Sequence, residues 1–241
     1  PHTPELSCPC TDSGQEEAAI SGMAIDGYIE GATVFADEDG DLTLDDGESN
    51  ATTGVNGTFD LDNPVGGLVQ TGGTDAATGV AFGGVLRAPV GSGIITPLTT
   101  LVACGVDWGV GQAGAVAAVE TAAGHVAALD EVPAEPIAVP WGVTAGGSAL
   151  YVSGVAVQNT LTQVAALLEG VSGGSTADMF NAAAKALADI VADAGGEVEL
   201  SDGATLAALL SDAGPLAGPD AGQLARLNRL SDDAPAPIQD S

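Results

Sequence analysis

The spacing of apolar residues changes once along the chain, near residue 97, and this change limits the possible folds more than any other feature. Before it, short runs alternate apolar and polar residues between glycines, as in AISGMAIDGYIEGATVFA at 19–36. After it, apolar residues recur three and four positions apart in Ala-rich segments. The first pattern is typical of the short strands of a β-sandwich, and the second of amphipathic helices. The sequence therefore predicts an α+β protein with an N-terminal antiparallel β-sandwich followed by an Ala-rich helical domain.

Proline-rich and polar segments give the expected boundaries. The polar residues at the start predict an extended arm, and VPAEPIAVPW at 132–141 predicts a loop within the helical half. We expect an N-terminal arm at 1–16, a calcium-binding β-sandwich at 17–100, a helical domain at 101–230 and a flexible tail at 231–241.

Two of the helical segments carry clear patterns. STADMFNAAAKALADIVADAGG begins with Ser175 and ends with Gly195, which are favourable residues at a helix start and a helix end. In the segment before it, five apolar residues are expected on one face: Val155, Leu161, Val164, Leu167 and Leu168.

The charge is strongly negative, because 4 Lys and Arg residues stand against 33 Asp and Glu residues, for a formal net charge of −29. Such a field repels phosphate backbones and anionic lipid surfaces, so we expect no nucleic-acid partner and no binding to a membrane surface. No apolar run is long enough to span a membrane. Salt and bound calcium both weaken the self-repulsion, and this favours a secreted or cell-surface location.

Three cysteines are present: Cys8, Cys10 and Cys104. An odd number in an exported protein predicts an intermolecular disulfide through one of them. For Cys104, within LTTLVACGV, the alternative is a buried residue that behaves as a small apolar side chain.

The segment DEDGDLTLDDGE at 37–48 has the spacing of a calcium-binding loop. Counted from Asp37, its carboxylates occupy positions 1, 3, 5, 9 and 12, and the backbone carbonyl of Thr43 occupies position 7. Calcium prefers such hard oxygen ligands, and the alternative is a solvated acidic loop. The predicted metal ligands are Asp37, Asp39, Asp41, Thr43, Asp45 and Glu48.

Two features distinguish this loop from an EF-hand. Position 6, where an EF-hand has glycine, is Leu42, and the flanking segments have the pattern of strands. The stretch GYIEGATVFADEDGDLTLDDGESNATTGVNGTFDL at 27–61 resembles the calcium-binding B-type β-sandwich modules of bacterial surface proteins, the serine-aspartate repeat B-like family, and the related carboxypeptidase-regulatory-like domains. The segment that follows it resembles regions of large secreted adhesins. The resemblance implies a surface or adhesive role.

Two motifs of enzymes also occur in the chain. GVGQAG at 109–114 fits a dinucleotide-binding fingerprint but lacks the strand that should precede it, and GVSGG at 170–174 fits a nucleophile elbow but lies between predicted helices. The only histidines are His2 and His125. We therefore expect no enzymatic activity.

These observations predict an extracellular structural or adhesive protein, a calcium-stabilised module of a surface fibre or adhesin. It would assemble with copies of itself or with neighbouring modules through the arm at 1–16. The alternative is a calcium-dependent glycan-binding or peptide-binding module, in which the ion contacts the ligand.

Overall fold

The computed structural model describes residues 19–76, 78–124, 129, 145–218, 223 and 226. The expected arm, the Pro-rich loop, the tail, Cys8 and Cys10 therefore lie outside the described residues. Nine strands precede five helices in this part of the chain. They are β1 (Ala19–Ala24), β2 (Ile29–Glu30), β3 (Thr33–Asp37), β4 (Asn50–Thr52), β5 (Thr58–Asp62), β6 (Gly67–Thr71), β7 (Thr74–Asp75), β8 (Val85–Ala88), β9 (Ile94–Ile95), α1 (Pro97–Asp107), α2 (Gln112–Ala122), α3 (Ala145–Ser172), α4 (Thr176–Ala194) and α5 (Gly203–Leu216).

The strands form three small sheets with a sandwich-like arrangement. The largest has the order β4-β3-β6-β8 and is antiparallel throughout. A second has the order β5-β1-β9, in which only the β1–β9 pairing is parallel, and β2 pairs with β7 in a two-stranded ribbon. The α+β prediction is confirmed.

Alternation of side chains explains how the sheets face the core. Along β5, Phe59 and Leu61 are buried whereas Thr58, Asp60 and Asp62 are exposed, as the period of two requires. Their side chains join Val34 and Leu86 of the larger sheet in a single hydrophobic cluster.

The helices extend this same cluster, which includes Leu101 of α1, Leu161 of α3 and Leu187 of α4. The sheets and the helices therefore share one continuous core. The change from strand to helix falls between Thr96 and Pro97, and the division into two domains at residue 100 stays a prediction.

Threonine side chains join α1 to β8. Thr96 and Thr99 form a reciprocal capping box, and Pro97 occupies the first helical position, where its missing N–H is not needed. The Thr99 hydroxyl also donates to the Arg87 carbonyl at 2.8 Å, and the Arg87 N–H donates to the Thr100 hydroxyl at 2.9 Å. The start of α1 is thereby fixed to the middle of β8.

Helix α4 has the boundaries that its sequence predicts. The Ser175 hydroxyl accepts from the Asp178 N–H, and Gly195 ends the helix in the left-handed conformation. In α3, Leu161, Val164 and Leu168 are buried as predicted. The placement of Leu167 on this face is wrong, because its side chain is 46% exposed. Successive helix residues are about 100° apart, so Leu167 lies well away from the face that Leu161 and Leu168 share.

Cys104 is fully buried in α1 and free. A disulfide from Cys104 to another chain is therefore excluded in the folded state, and the alternative of a buried apolar-like residue is confirmed. Burial raises the pKa of its thiol to about 11, so it stays protonated and unreactive.

Among the described helices, none combines the length and the apolar character that crossing a membrane requires.

Candidate metal centre

The acidic segment forms the connection between β3 and β4 in the larger sheet. Asp37 is the last residue of β3 and is buried, with 6% of its surface exposed. The backbone of Gly66, at a φ of 99°, passes so close to the Asp37 carbonyl that any side chain at this position would clash with it. This contact fixes the base of the loop against the start of β6.

Backbone amides hold the first and last carboxylates of the loop. Asp37 accepts from the N–H of Gly40 at 2.9 Å and from the N–H of Leu42 at 3.3 Å. Glu48 accepts from the N–H of Glu38 at 2.9 Å and from the N–H of Asp45 at 3.0 Å. Glu48 therefore ties the two ends of the loop together.

Smaller turns orient the aspartates between them. The Asp39 carboxylate accepts from the Asp41 N–H at 3.2 Å, and the Asp41 carboxylate accepts from the Thr43 N–H at 2.7 Å. These contacts leave acceptor capacity on each carboxylate, because an ionised carboxylate has about four lone-pair sites.

The loop brings five of its seven carboxylates, the predicted ligands, into two overlapping groups of three. Asp37, Asp39 and Glu48 form one group, and Asp39, Asp41 and Asp45 form the other, with one oxygen from each residue lying within 4.8 Å of the others in its group. Two oxygens on one Ca²⁺ ion lie at most about 5 Å apart, twice the metal–oxygen distance. Both groups therefore have a spacing that one ion could accommodate, and Asp39 belongs to each.

Leu42 performs the role that glycine has at position 6 of an EF-hand. Its φ is 66°, so the backbone takes the left-handed turn of that position although leucine rarely adopts it. The Leu42 side chain packs against the small cluster of Phe35, Val69 and Val85, which offsets the strain of the turn. The sequence difference at this position thus preserves the turn and anchors the loop to the sheet.

The carboxylates repel one another when no cation is present. The pKa of Asp45 is raised, first by the charge of Asp41 and then by loss of hydration and by the three other carboxylates. Glu38 and Asp46, the remaining acids of the loop, belong to neither group of three. The four other predicted carboxylate ligands thus all act on Asp45.

The residues fit a calcium ion by their chemistry and spacing. All five predicted carboxylates lie in one group or the other, and carboxylate oxygens are the ligands that Ca²⁺ prefers. The contribution of the Thr43 carbonyl stays a prediction, since the geometry described for this residue concerns its N–H.

A cavity of ≈ 260 Å³ borders the loop on the side of α1. Its lining includes Asp37 and Asp39 of the loop together with Arg87 and Asp107. Arg87 is buried and donates to Asp107 at 2.7 Å. Burial by itself would lower the pKa of Arg87, but the hydrogen bond and the charge of Asp107, together with Cys104, raise it.

The two enzyme-like motifs have structural roles. Gly109 lies in the turn between two helices, α1 and α2, so the strand that a dinucleotide site needs is missing from this position. Ser172 is the last residue of α3, and its hydroxyl donates to the Leu168 carbonyl at 2.7 Å. His125 lies outside the described residues.

Sequence reasoning missed two sites. Arg87 is the only cation of the sequence before residue 98, and its isolation among acids could have marked it. Asp26, which is half-buried, interrupts an apolar strand pattern next to the buried Ile25, and this interruption could have marked it.

No family model matches the chain, and neither the curated proteins nor the solved structures contain a match to it. The fold and the loop geometry are therefore the basis on which a function can be argued.

Proposed function

We propose that this protein is an extracellular structural or adhesive module whose β-sandwich is stabilised by calcium bound in the loop at 37–48. One observation carries the proposal: a single connection between two strands places five carboxylates in two groups that share Asp39. The loop also has the left-handed turn at Leu42 that the EF-hand spacing requires.

Calcium would stabilise the sheet by joining its parts. Asp37 belongs to β3, and Glu48 lies two residues before β4, so an ion between them would connect neighbouring strands. It would also remove the repulsion that raises the pKa of Asp45. Rigid strand connections suit a module that carries mechanical load.

The resemblance to calcium-binding modules of surface proteins supports the proposed location. The net charge of −29 agrees with it, because an acidic surface tolerates a salty, calcium-rich medium. Assembly through the arm at 1–16 is part of the proposal, with copies of this chain or neighbouring modules as the partners.

Calcium removal tests this function. Chelation should lower the melting temperature by about 5–10 °C relative to calcium at 100 times its dissociation constant, because the ion binds only the folded state. Negative-stain electron microscopy should show filaments in calcium, and chelation should shorten or remove them. A variant with Asp39→Asn and Asp41→Asn should lose both responses.

A matched control is a variant with Asp46→Asn and Asp62→Asn. It removes the same number of charges from exposed positions outside the two groups, and it should keep both responses. Melting temperatures that coincide in calcium and chelator would contradict calcium binding. A calcium-dependent melting temperature without any filaments would contradict the fibre role alone.

The second candidate is a calcium-dependent glycan-binding or peptide-binding module. The cavity between the loop and Arg87 favours it, since a ligand there could contact both the ion and the guanidinium group. Calcium-dependent stability without assembly, together with calcium-dependent retention on an immobilised glycan or peptide, would favour this candidate.

A further inference from the structure

The chain contains two sequences of the Asn-x-Ser/Thr type, and they lie next to each other. They are Asn50-Ala51-Thr52 and Asn56-Gly57-Thr58, and both fall within the nine residues at 50–58. This type of sequence is the acceptor for N-linked glycans, in which a sugar is attached to the side-chain amide nitrogen of asparagine.

Both sequences lie at the margin of the sheets. β4 is an end strand of the larger sheet, and β5 is an end strand of the sheet that also contains β1 and β9. The side chains of Asn50, Asn56 and Thr58 are exposed, and Val55 next to Asn56 is 63% exposed. The connection between β4 and β5 is therefore a part of the surface where a bulky group can project into solvent.

A tight turn places Asn56 at the tip of this connection. The Gly57 N–H donates to the Gly54 carbonyl at 2.9 Å, which closes a four-residue turn with Asn56 as its third residue. Gly57 has a φ of 71°, and its carbonyl accepts from the Ala24 N–H at 2.9 Å, so the turn is fixed to β1. The backbone of the turn is held in place while the Asn56 side chain stays exposed.

The reacting groups of the two sequences differ in their contacts. Asn50 pairs with Phe35 in the sheet, and its amide Nδ2 donates to the Glu48 carbonyl at 3.1 Å. Within the described part of the chain, no hydrogen bond engages the Asn56 amide or the Thr58 hydroxyl. The nitrogen that would be modified and the hydroxyl that defines the acceptor sequence are therefore both available at Asn56, whereas the nitrogen of Asn50 is engaged.

We propose that Asn56 is the acceptor of an N-linked glycan and that Asn50 stays unmodified in the folded protein. The donor is a sugar chain carried on a lipid phosphate. A bond forms between C1 of the first sugar and Nδ2 of Asn56, and the bond from C1 to the phosphate oxygen breaks. The lipid phosphate leaves with the electron pair, and Nδ2 loses one proton.

The inference rests on the proposed extracellular location, because such transfer acts on exported chains, and it adds a modification that the proposed function does not contain. Unpaired strand edges are places where another chain can add a strand. A hydrated sugar chain on Asn56 would cover Val55 and hinder such pairing at β4 and β5.

The test incubates the folded full-length protein with a lipid-linked oligosaccharide and an oligosaccharyltransferase that requires only the Asn-x-Thr sequence, followed by tandem mass spectrometry of the peptides. Synthetic peptides of residues 48–54 and 54–60 are the positive controls for the two sequences. The glycan should appear on Asn56 and be lost in Asn56→Gln and in Thr58→Val, whereas Thr58→Ser and Asn50→Gln should retain it. A melting temperature close to that of the original protein shows that each variant is folded.

An unmodified Asn56 in the folded protein, under conditions in which its peptide is modified, would overturn the proposal. Modification of Asn50 to the same extent as Asn56 would also overturn it.

The second measurement is the same mass spectrometry on protein recovered from outside the cells that produce it. A glycan on Asn56 would support the proposal, and an unmodified Asn56 would overturn it while leaving the extracellular location intact. Protein found only inside the cells would contradict the proposed location, a failure that the reaction with the purified transferase does not share.

Discussion

At the scale of single residues, backbone conformation decides how acids are placed. Leu42 adopts a left-handed conformation and directs the predicted metal loop, and its side chain gains a place against the sheet. The sequence predicted the ligand spacing of the loop, because that spacing is local. It could not predict that Asp26 lies near Asp75, because the pairing of β2 with β7 brings together residues far apart in the chain.

Asp26 gives the protein a specific pH dependence. Its pKa in the folded state is raised to about 7, above its ordinary value, so the folded state holds a proton that the unfolded state has released. The stability that Asp26 contributes is therefore fully present below about pH 4 and is lost as the pH rises through about 7. The loss corresponds to on the order of 4 kcal/mol, because the pKa rises from 3.8 to about 7 and each pKa unit is worth about 1.4 kcal/mol.

Asp26→Asn should remove this loss. Urea unfolding should give the variant and the original protein similar free energies of unfolding at about pH 4, and the variant a free energy higher by on the order of 3–4 kcal/mol at about pH 8.5. Asp62→Asn serves as the comparison and should follow the original protein at both values. A variant that is equally destabilised at both pH values would show that the Asp26 carboxyl is not shifted in the way described.

At the scale of elements, the junction between β8 and α1 fixes the geometry of the helical half. Ser175 and Gly195 made the limits of α4 predictable, because caps are local features. The junction was not predictable in the same way: Thr99 and Thr100 look like ordinary helix residues until their hydroxyl contacts with Arg87 are known. Leu167 was misplaced for a similar reason. Leu167 and Leu168 are adjacent, and the sequence alone does not show which of the two faces the core.

Thr99→Val tests the junction. The substitution keeps the shape of the side chain but removes half of the capping box and the bond to the Arg87 carbonyl, and it should lower the free energy of unfolding by about 1–3 kcal/mol. The exposed Thr121 of α2, whose hydroxyl bonds only within its own helix, provides the control. Thr121→Val should change the free energy of unfolding by less than about 0.5 kcal/mol in the same urea titration. Similar losses of unfolding free energy for both variants would show that the Thr99 contacts at the junction stabilise the fold no more than an exposed threonine does.

At the scale of the whole molecule, one continuous core, in which alanine and leucine are the commonest residues, joins the sheets to the helices, while the net charge of −29 acts against compactness. The described part of the chain forms one ion pair, between Arg87 and Asp107, so internal cations relieve little of that repulsion. Composition predicted this imbalance, and the sequence places seven of the 33 acids in the loop at 37–48. Calcium in that loop would join strand ends and lower the repulsion at the same time.

Anomalous diffraction from crystals grown in calcium is the measurement that bears most directly on this account. Calcium bound in the loop should give a strong anomalous peak among the oxygens of Asp37, Asp39, Asp41, Asp45 and Glu48, at the metal–oxygen distances of about 2.3–2.6 Å that Ca²⁺ adopts. An ordered loop with no anomalous peak between these side chains would contradict it.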